Sequence, residues 1–173
     1  MLIALWIIIF LCLTSIIKGS IRYKISPAVS GVVIQNEVIM WLNKETDLKK
    51  IIDLGAGFGF FSLKLARRFP NITVVSYEVQ TIPFFVMVFL KKIFLQKNWI
   101  IYKQDFFKLK SLDACYIYCY LYADSEGKIT RFLKDTISRN TKVISSTFAL
   151  GLNLQHKIKV FDIYQTPIYV YFD

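Results

Sequence analysis

Three glycines alternate behind an acid in the segment IIDLGAGFGFFSLKLARRF, which spans residues 51 to 69. Asp53 precedes Gly55, Gly57 and Gly59, and a helix-like pattern follows them. Glycine lets the backbone turn tightly and lets a ligand lie against it without a Cβ in the way. A buried strand that runs into such a loop and then into a helix is typical of nucleotide-type sites. The spacing therefore predicts a loop that cradles a nucleotide-like group.

A second acid lies where such a ligand needs one. Glu78 ends the β-branched run ITVVSYE, 23 residues after Gly55. At a strand end a carboxylate can accept hydrogen bonds from two ribose hydroxyls. The dinucleotide fingerprint places its third glycine three residues after the second, but Phe60 stands there and the third glycine is Gly59. The alternative interpretation is a tight structural turn with a solvated glutamate.

Tyrosine alternates with smaller residues in the run YIYCYLY. Its four tyrosines share one face of a strand, since side chains alternate with period two: Tyr116, Tyr118, Tyr120 and Tyr122. Aromatic faces stabilise a cation without adding a competing nucleophile. The alternative is ordinary packing of a tyrosine-rich strand.

Cysteine and histidine are too few and too scattered for several common chemistries. The three cysteines, Cys12, Cys115 and Cys119, form no CxxC pair, and His156 is the single histidine. This content argues against a histidine-dependent triad and against a Cys/His metal site, so we predict no metal. Packing is the preferred role of all four residues.

The whole chain has the size of one domain and a strong positive charge. It has 173 residues, 55% of them hydrophobic, and a formal net charge of +10. This length can bury a core without disulfides or metal. The charge suits an anionic partner, whether a membrane surface, nucleic acid or an acidic protein patch, and does not choose among them.

The first residues predict a membrane anchor. Residues 1 to 17 are almost wholly apolar, and Lys18, Arg22 and Lys24 follow them. As a helix this segment spans about 26 Å, at the short end of what crosses a bilayer. By the positive-inside rule the rest of the chain stays on the cytoplasmic or matrix-like side. A cleaved signal sequence is the alternative, because Gly19 and Ser20 offer small residues.

Strands alternate with helices after the anchor, which predicts a parallel sheet with right-handed crossovers. We expect a transmembrane anchor at 1–18, a linker and leading helix at 19–48, and the main domain at 49–173. The apolar run 82–90 is too short to span a membrane and is expected to pack in the core. The predicted strands are 49–54, 72–78, 99–105, 114–122 and 141–148, with a closing antiparallel pair at 156–164 and 166–173. The predicted helices are 32–42, 60–69, 82–95 and 125–140.

The motif DLGAGFG resembles the S-adenosylmethionine loop of class I methyltransferases. The resemblance implies a Rossmann-like α/β fold, with a seven-stranded sheet that ends in an antiparallel hairpin and has helices on both faces. It also implies that the loop holds the methionine part of the cofactor, that Glu78 holds its ribose, and that Asp105 holds the adenine amine with Phe106 as a ring neighbour. The residues expected to bind the cofactor are Asp53, Gly55, Gly57, Gly59, Glu78, Asp105 and Phe106.

Further motifs, in order along nearly the whole chain, resemble those of the small membrane-anchored protein-lysine methyltransferases. That group contains the mitochondrial enzyme that methylates the ATP synthase c-subunit and its archaeal and bacterial relatives. The matching stretches are SPAVS, DLGAGFG, YEVQ, DFFK, YLYA, KVISSTFAL and TPIYVYFD. The resemblance implies methylation of lysine on a membrane-associated protein by a membrane-tethered domain on the cytoplasmic side. It makes Tyr120, in YLYA, the candidate catalytic residue.

Several positions depart from that family pattern. Phe58 replaces an acid inside the glycine loop, Gln80 replaces an asparagine, and Ala123 replaces a proline. Phe58 and Ala123 leave open a weakened or altered activity, so one alternative is a membrane-tethered binder of S-adenosylmethionine. The other is a methyltransferase acting on RNA or a small molecule. The scattered basic residues and the lack of an attached RNA-binding module argue against nucleic acid as partner.

Overall fold

The computed structural model describes residues 31–121, 126–146, 148–160 and 165–172, together with Thr14 and Ile17. The anchor expected at 1–18 lies outside the described residues apart from those two positions, as do Tyr122 and Ala123. Within the described part of the chain, no helix is both long and apolar enough to cross a bilayer.

One sheet organises the described residues, and its strand order is β3-β2-β1-β4-β5-β7-β6. The strands are β1 Lys50–Leu54, β2 Thr73–Glu78, β3 Trp99–Lys103, β4 Tyr116–Cys119, β5 Lys142–Ser146, β6 Leu154–Lys159 and β7 Pro167–Phe172. Strands β1 to β5 pair in parallel, and β7 lies antiparallel between β5 and β6. The predicted parallel sheet with a closing antiparallel pair is confirmed.

Helices cover both faces of this sheet, as predicted. They are α1 Val32–Leu42, α2 Phe60–Arg68, α3 Thr81–Ile93 and α4 Glu126–Thr136. One core cluster joins Val38 of α1, Leu65 of α2 and Met87 of α3, and the other contains Leu133 of α4. Strands β1, β2, β4, β5 and β7 supply both clusters because their side chains alternate between the two faces.

The prediction that the apolar run 82–90 packs in the core is wrong for most of its side chains. Only Pro83 and Met87 of α3 are buried, whereas Phe85 and Phe89 are 61% and 63% exposed. The run forms a helix beside β2 and β3, and β3 is the edge strand of the sheet. A helix on a sheet turns one side inward, so an apolar run that covers its whole circumference must leave the other side uncovered.

The strand order brings three loops together. β1 lies between β2 and β4, and all three strands point the same way. The carboxyl ends of these strands therefore bring together the glycine loop after β1, Glu78 at the end of β2 and Tyr120 after β4. The chain moves to one side after β1 and to the other at β4, and open α/β sheets bind ligands at such a reversal.

Candidate cofactor and substrate site

The three loop glycines adopt left-handed backbone conformations that other residues rarely take. Their φ angles are +74° at Gly55, +57° at Gly57 and +75° at Gly59. A Cβ on Gly59 would collide with Met87 and would lie 2.8 Å from Trp99 Cζ2, whereas one on Gly57 would meet nothing within 4 Å. Gly59 thus allows the start of α2 to pack closely against its neighbours, and Gly57 presents bare backbone to open space.

Glu78 holds the glycine loop in place. Its Oε2 accepts a hydrogen bond from the backbone N–H of Gly57 at 2.8 Å. Its Oε1 accepts from the N–H groups of Val79 at 2.8 Å and Gln80 at 2.7 Å. Burial raises the pKa of this carboxyl, and the three backbone hydrogen bonds oppose that shift. A carboxylate offers about four acceptor positions, so capacity for a further donor is left.

A chain of buried hydrogen bonds ends on Asp53. Trp99 Nε1 donates to Ser76 Oγ at 2.8 Å, Ser76 Oγ donates to Ser62 Oγ at 2.8 Å, and Ser62 Oγ donates to Asp53 Oδ2. The ionised Asp53 carboxylate can only accept, so the single hydroxyl proton of Ser62 is donated to it and Ser62 must accept from Ser76. The three donor residues are fully buried. Sequence reasoning selected none of the three, and the available signal for the two serines was their place inside the apolar segments FFSLKLA and TVVSYE.

The pKa of the Asp53 carboxyl is strongly raised. Burial raises its pKa from 3.8 to about 7, the hydrogen bond from Ser62 acts to lower it, and the nearby charge of Glu78 acts to raise it. The group therefore changes charge near neutral pH. A buried acid of this kind is favoured as a carboxylate once a cation lies beside it.

Asp53 and the glycine loop line a small pocket of about 40 Å³. Its wall is rich in aromatic rings: Phe58, Phe60, Phe61, Tyr118 and Tyr120. The pocket also contains Gln35 from α1, which sequence reasoning did not select. The available signal was a glutamine in register with the buried face of α1, beside Ile34, Val38 and Ile39.

The predicted tyrosine stripe divides into two environments. Tyr116 and Tyr118 are buried in the core, and the ring of Tyr118 lies 4.5 Å from that of Phe61. β4 ends at Cys119, so Tyr120 lies just beyond it, half-buried and lining the pocket. Tyr122 is outside the described residues. Packing thus accounts for Tyr116, while Tyr120 stands where a ligand would meet it.

Asp105 and Phe106 lie near the loop but are not part of the pocket lining. Asp105 begins a single 3₁₀ turn, Phe106–Lys108, and accepts a hydrogen bond from the N–H of Phe107 at 3.1 Å. The N–H of Gln104 donates to the carbonyl of Glu78 at 3.0 Å, which holds this segment beside the end of β2. Phe106 is buried in the α4-side core, with its ring 4.3 Å from that of Phe107.

Of the cysteines and the histidine, Cys119 is buried, Cys115 is half-buried, His156 is exposed and Cys12 lies outside the described residues. Burial raises the pKa of the Cys119 thiol to about 12, so it is no nucleophile at neutral pH. His156 lies on β6 and is not among the residues that line the pocket, and its ring is 5.0 Å from that of Trp41. Within the described ranges, no group of three or more His, Cys, Asp or Glu residues could hold a metal ion.

Comparison with known proteins identifies the fold. No protein-family model matches the chain, and no curated protein matches its sequence. An RNA methyltransferase from Salinibacter ruber, solved with S-adenosyl-L-homocysteine, has a TM-score of 0.71 at 17% identity over 83% of this chain and 92% of that one. A variant of MtNAS solved with S-adenosylmethionine gives 0.68 at 10% identity, over 80% and 61%. Precorrin-6y C5,15-methyltransferase from Geobacter metallireducens gives 0.60 at 14% identity, over 85% and 92%.

The fold is therefore that of the class I S-adenosylmethionine-dependent methyltransferases, as the sequence motifs predicted. At these identities the similarity defines the fold. The membrane-anchored protein-lysine group stays a prediction from the sequence motifs.

Proposed function

We propose that this protein is an S-adenosylmethionine-dependent methyltransferase whose acceptor is a lysine of a membrane-associated protein. One observation carries the proposal: the pocket beside the glycine loop combines one buried acid with five aromatic rings. Among its lining residues, all within the described part of the chain, there is no Lys or Arg. Such a wall favours a cationic ligand and amine over an anionic one.

The residues at the loop fit S-adenosylmethionine. Gly57 leaves open space where a side chain would stand, so the ligand can approach the backbone there. Asp53 would pair with the ligand ammonium, Glu78 would accept from ribose hydroxyls with its remaining capacity, and Asp105 would accept from the adenine amine. When bound, this cofactor supplies a methyl group activated by a positive sulfonium.

The remaining pocket residues would prepare the acceptor amine. A lysine has a reference pKa near 10.4 and must lose its proton before it can accept a methyl group. Desolvation by Phe58, Phe60 and Phe61 would lower that pKa, since burial disfavours the charged form. The ring of Tyr120 would orient the amine and tolerate positive charge before and after transfer. Orientation is the main contribution of the chain, because direct transfer needs no enzyme nucleophile.

We also propose that residues 1–18 anchor the protein in a membrane with the domain on the cytoplasmic side. The segment from about residue 19 to Gly31 reaches at most ~45 Å when extended, so the pocket would stay close to the bilayer. Membrane-protein targets would then be present at high local concentration. Protease protection in sealed membranes tests this proposal. Recovery of the domain on the far side, or of a mature chain that starts near Gly19, would overturn it.

Radiolabelled S-adenosylmethionine tests the acceptor. Membranes from cells with and without the protein are incubated with it, then separated into protein, lipid and RNA, and the labelled residue is identified by mass spectrometry. Lysine methylation that depends on the protein supports the proposal. Label in RNA would favour the RNA alternative, to which the net charge of +10 is suited. Cofactor binding without transfer to any fraction would favour the tethered binder.

Variants of Tyr120 test the pocket itself. Tyr120→Ala should lower methyl transfer tenfold or more, which corresponds to about 1.4 kcal/mol, with little change in cofactor affinity. Tyr120→Phe should lose less if the ring face matters and as much if the hydroxyl matters. Unchanged transfer in Tyr120→Ala would remove this residue from the proposal.

A further inference from the structure

The third helix has an apolar side that the rest of the described chain leaves exposed. Along α3 these residues recur at three- and four-residue spacing, and the row continues past the helix end. Their exposures lie between 40% and 79%. We call this row the apolar stripe: Phe85, Val88, Phe89, Ile93, Phe94 and Leu95. Surface helices normally turn polar residues outward, and a contiguous exposed apolar patch marks a contact surface.

The surroundings of the apolar stripe are strongly basic. From residue 54 to residue 104 the only acid is Glu78, which is buried. The same stretch holds seven basic residues: Lys64, Arg67, Arg68, Lys91, Lys92, Lys97 and Lys103. The stripe therefore has many cations near it along the chain and no exposed carboxylate among them.

A basic pocket of about 410 Å³ lies on α2, next to the stripe. It is lined by Phe60, Leu63, Lys64, Arg67 and Arg68. The guanidinium of Arg67 lies 5.2 Å from the centre of the Phe94 ring, so the pocket and the stripe are in contact. Arg67 and Arg68 also complement the negative end of the α2 dipole, but that role does not require an apolar stripe beside them.

We propose that the apolar stripe docks on the surface of an anionic lipid bilayer, with lipid phosphate groups in the basic pocket. Aromatic and aliphatic side chains enter the interface between headgroups and acyl chains, and lysine and arginine pair with anionic headgroups. The charge pattern is complementary to such a surface. The apolar N-terminal sequence adds a second membrane-seeking element, and α1, which follows it along the chain, packs on the same sheet face as α3.

Docking through this surface has a consequence for the site. Phe60 lines both the basic pocket and the aromatic pocket beside the glycine loop. A bilayer held against α2 and α3 would therefore lie beside the mouth of the aromatic pocket. An acceptor side chain projecting from a membrane protein near its headgroup level would be within reach. Docking itself needs no cofactor and no methyl transfer, so its test is independent of the proposed activity.

Site-specific photocrosslinking of the full-length chain tests the docking. The photoreactive amino acid p-benzoylphenylalanine replaces Phe89 in one protein and Lys134, exposed on α4 and on the opposite sheet face, in the matched control. Both proteins are reconstituted into vesicles of phosphatidylcholine with phosphatidylglycerol, and into vesicles of phosphatidylcholine alone. We expect strong lipid crosslinking from position 89 in the anionic vesicles, and little from position 134.

Charge removal and hydrogen exchange complete the test. Lys64→Gln with Arg68→Gln should lower lipid crosslinking at position 89, by up to about fivefold for each cation removed. In the wild-type chain, the backbone amides of α3 should exchange more slowly on anionic vesicles than on neutral ones, a readout that needs no substitution. Equal lipid labelling at the two positions, crosslinks from position 89 to a second copy or to residues 1–18, or unchanged exchange of α3 would overturn the proposal.

Discussion

The buried acid at the loop predicts a pH-dependent cofactor affinity. If the Asp53 carboxylate pairs with the ligand ammonium, binding requires that the carboxyl be ionised. With a pKa of about 7, the ionised fraction rises from about 9% at pH 6.0 to about 76% at pH 7.5. The affinity of the wild-type protein should therefore rise about eightfold over this interval.

Two substitutions separate this cause from others. Asp53→Asn has the same shape and cannot ionise, so its affinity should be lower and nearly constant over the interval, apart from any titration of Glu78. A charge-assisted hydrogen bond contributes roughly 1.5–3 kcal/mol, which predicts a loss of about tenfold to a hundredfold at pH 7.5. Ser62→Ala removes the hydrogen bond that lowers the pKa of Asp53, so the rise in affinity should move to higher pH.

Isothermal titration calorimetry with S-adenosylhomocysteine measures these affinities at constant ionic strength. This ligand keeps the ammonium and the ribose and does not react. Thermal unfolding of each variant provides the control for folding. A wild-type affinity that does not change between pH 6.0 and 7.5, or a slope that persists in Asp53→Asn, would refute the pairing of Asp53 with the ligand.

Three further outcomes follow from the same geometry. Glu78→Ala should weaken cofactor binding at least tenfold and lower the unfolding free energy by about 1–3 kcal/mol for each backbone N–H that it leaves unpaired. Glu78→Gln should preserve more stability. Calorimetry and denaturant titration measure the two effects, and values equal to wild type in both variants would contradict this role. Gly59→Ala should cost roughly 2–5 kcal/mol of stability through its backbone angle and its collision with Met87. Gly57→Ala should cost only about 1–2 kcal/mol but cause a larger relative loss of cofactor affinity. Equal melting temperatures of the two variants would argue against these roles. The pKa of Asp53 is higher in the folded than in the unfolded chain, so the protein should lose up to about 4 kcal/mol of stability as pH rises from about 4 to 7. If Asp53→Asn showed a loss of equal size, the pH dependence of stability would belong to other groups.

Local patterns in the sequence were sufficient for the order and type of the elements. The β-branched and apolar runs predicted the strands, and the glycine spacing predicted a tight loop between β1 and α2, because both depend on residues close together in the chain. The antiparallel end of the sheet came from the family resemblance together with two closing β-rich runs. Strand ends differed by a few residues, most visibly where β6 ends at Lys159 and not at residue 164.

Tertiary structure decided which side chains meet. The chain from Trp99 through Ser76 and Ser62 to Asp53 joins β3, β2, α2 and β1, and no local spacing relates these positions. Gln35 reaches the pocket only because α1 packs over the carboxyl end of the sheet. The exposure of α3 was likewise beyond local reasoning, because an apolar helix is buried or exposed according to what packs on its outer side. That depends on the position of β3 at the edge of the sheet, a property of strand order and not of the residues of the helix itself.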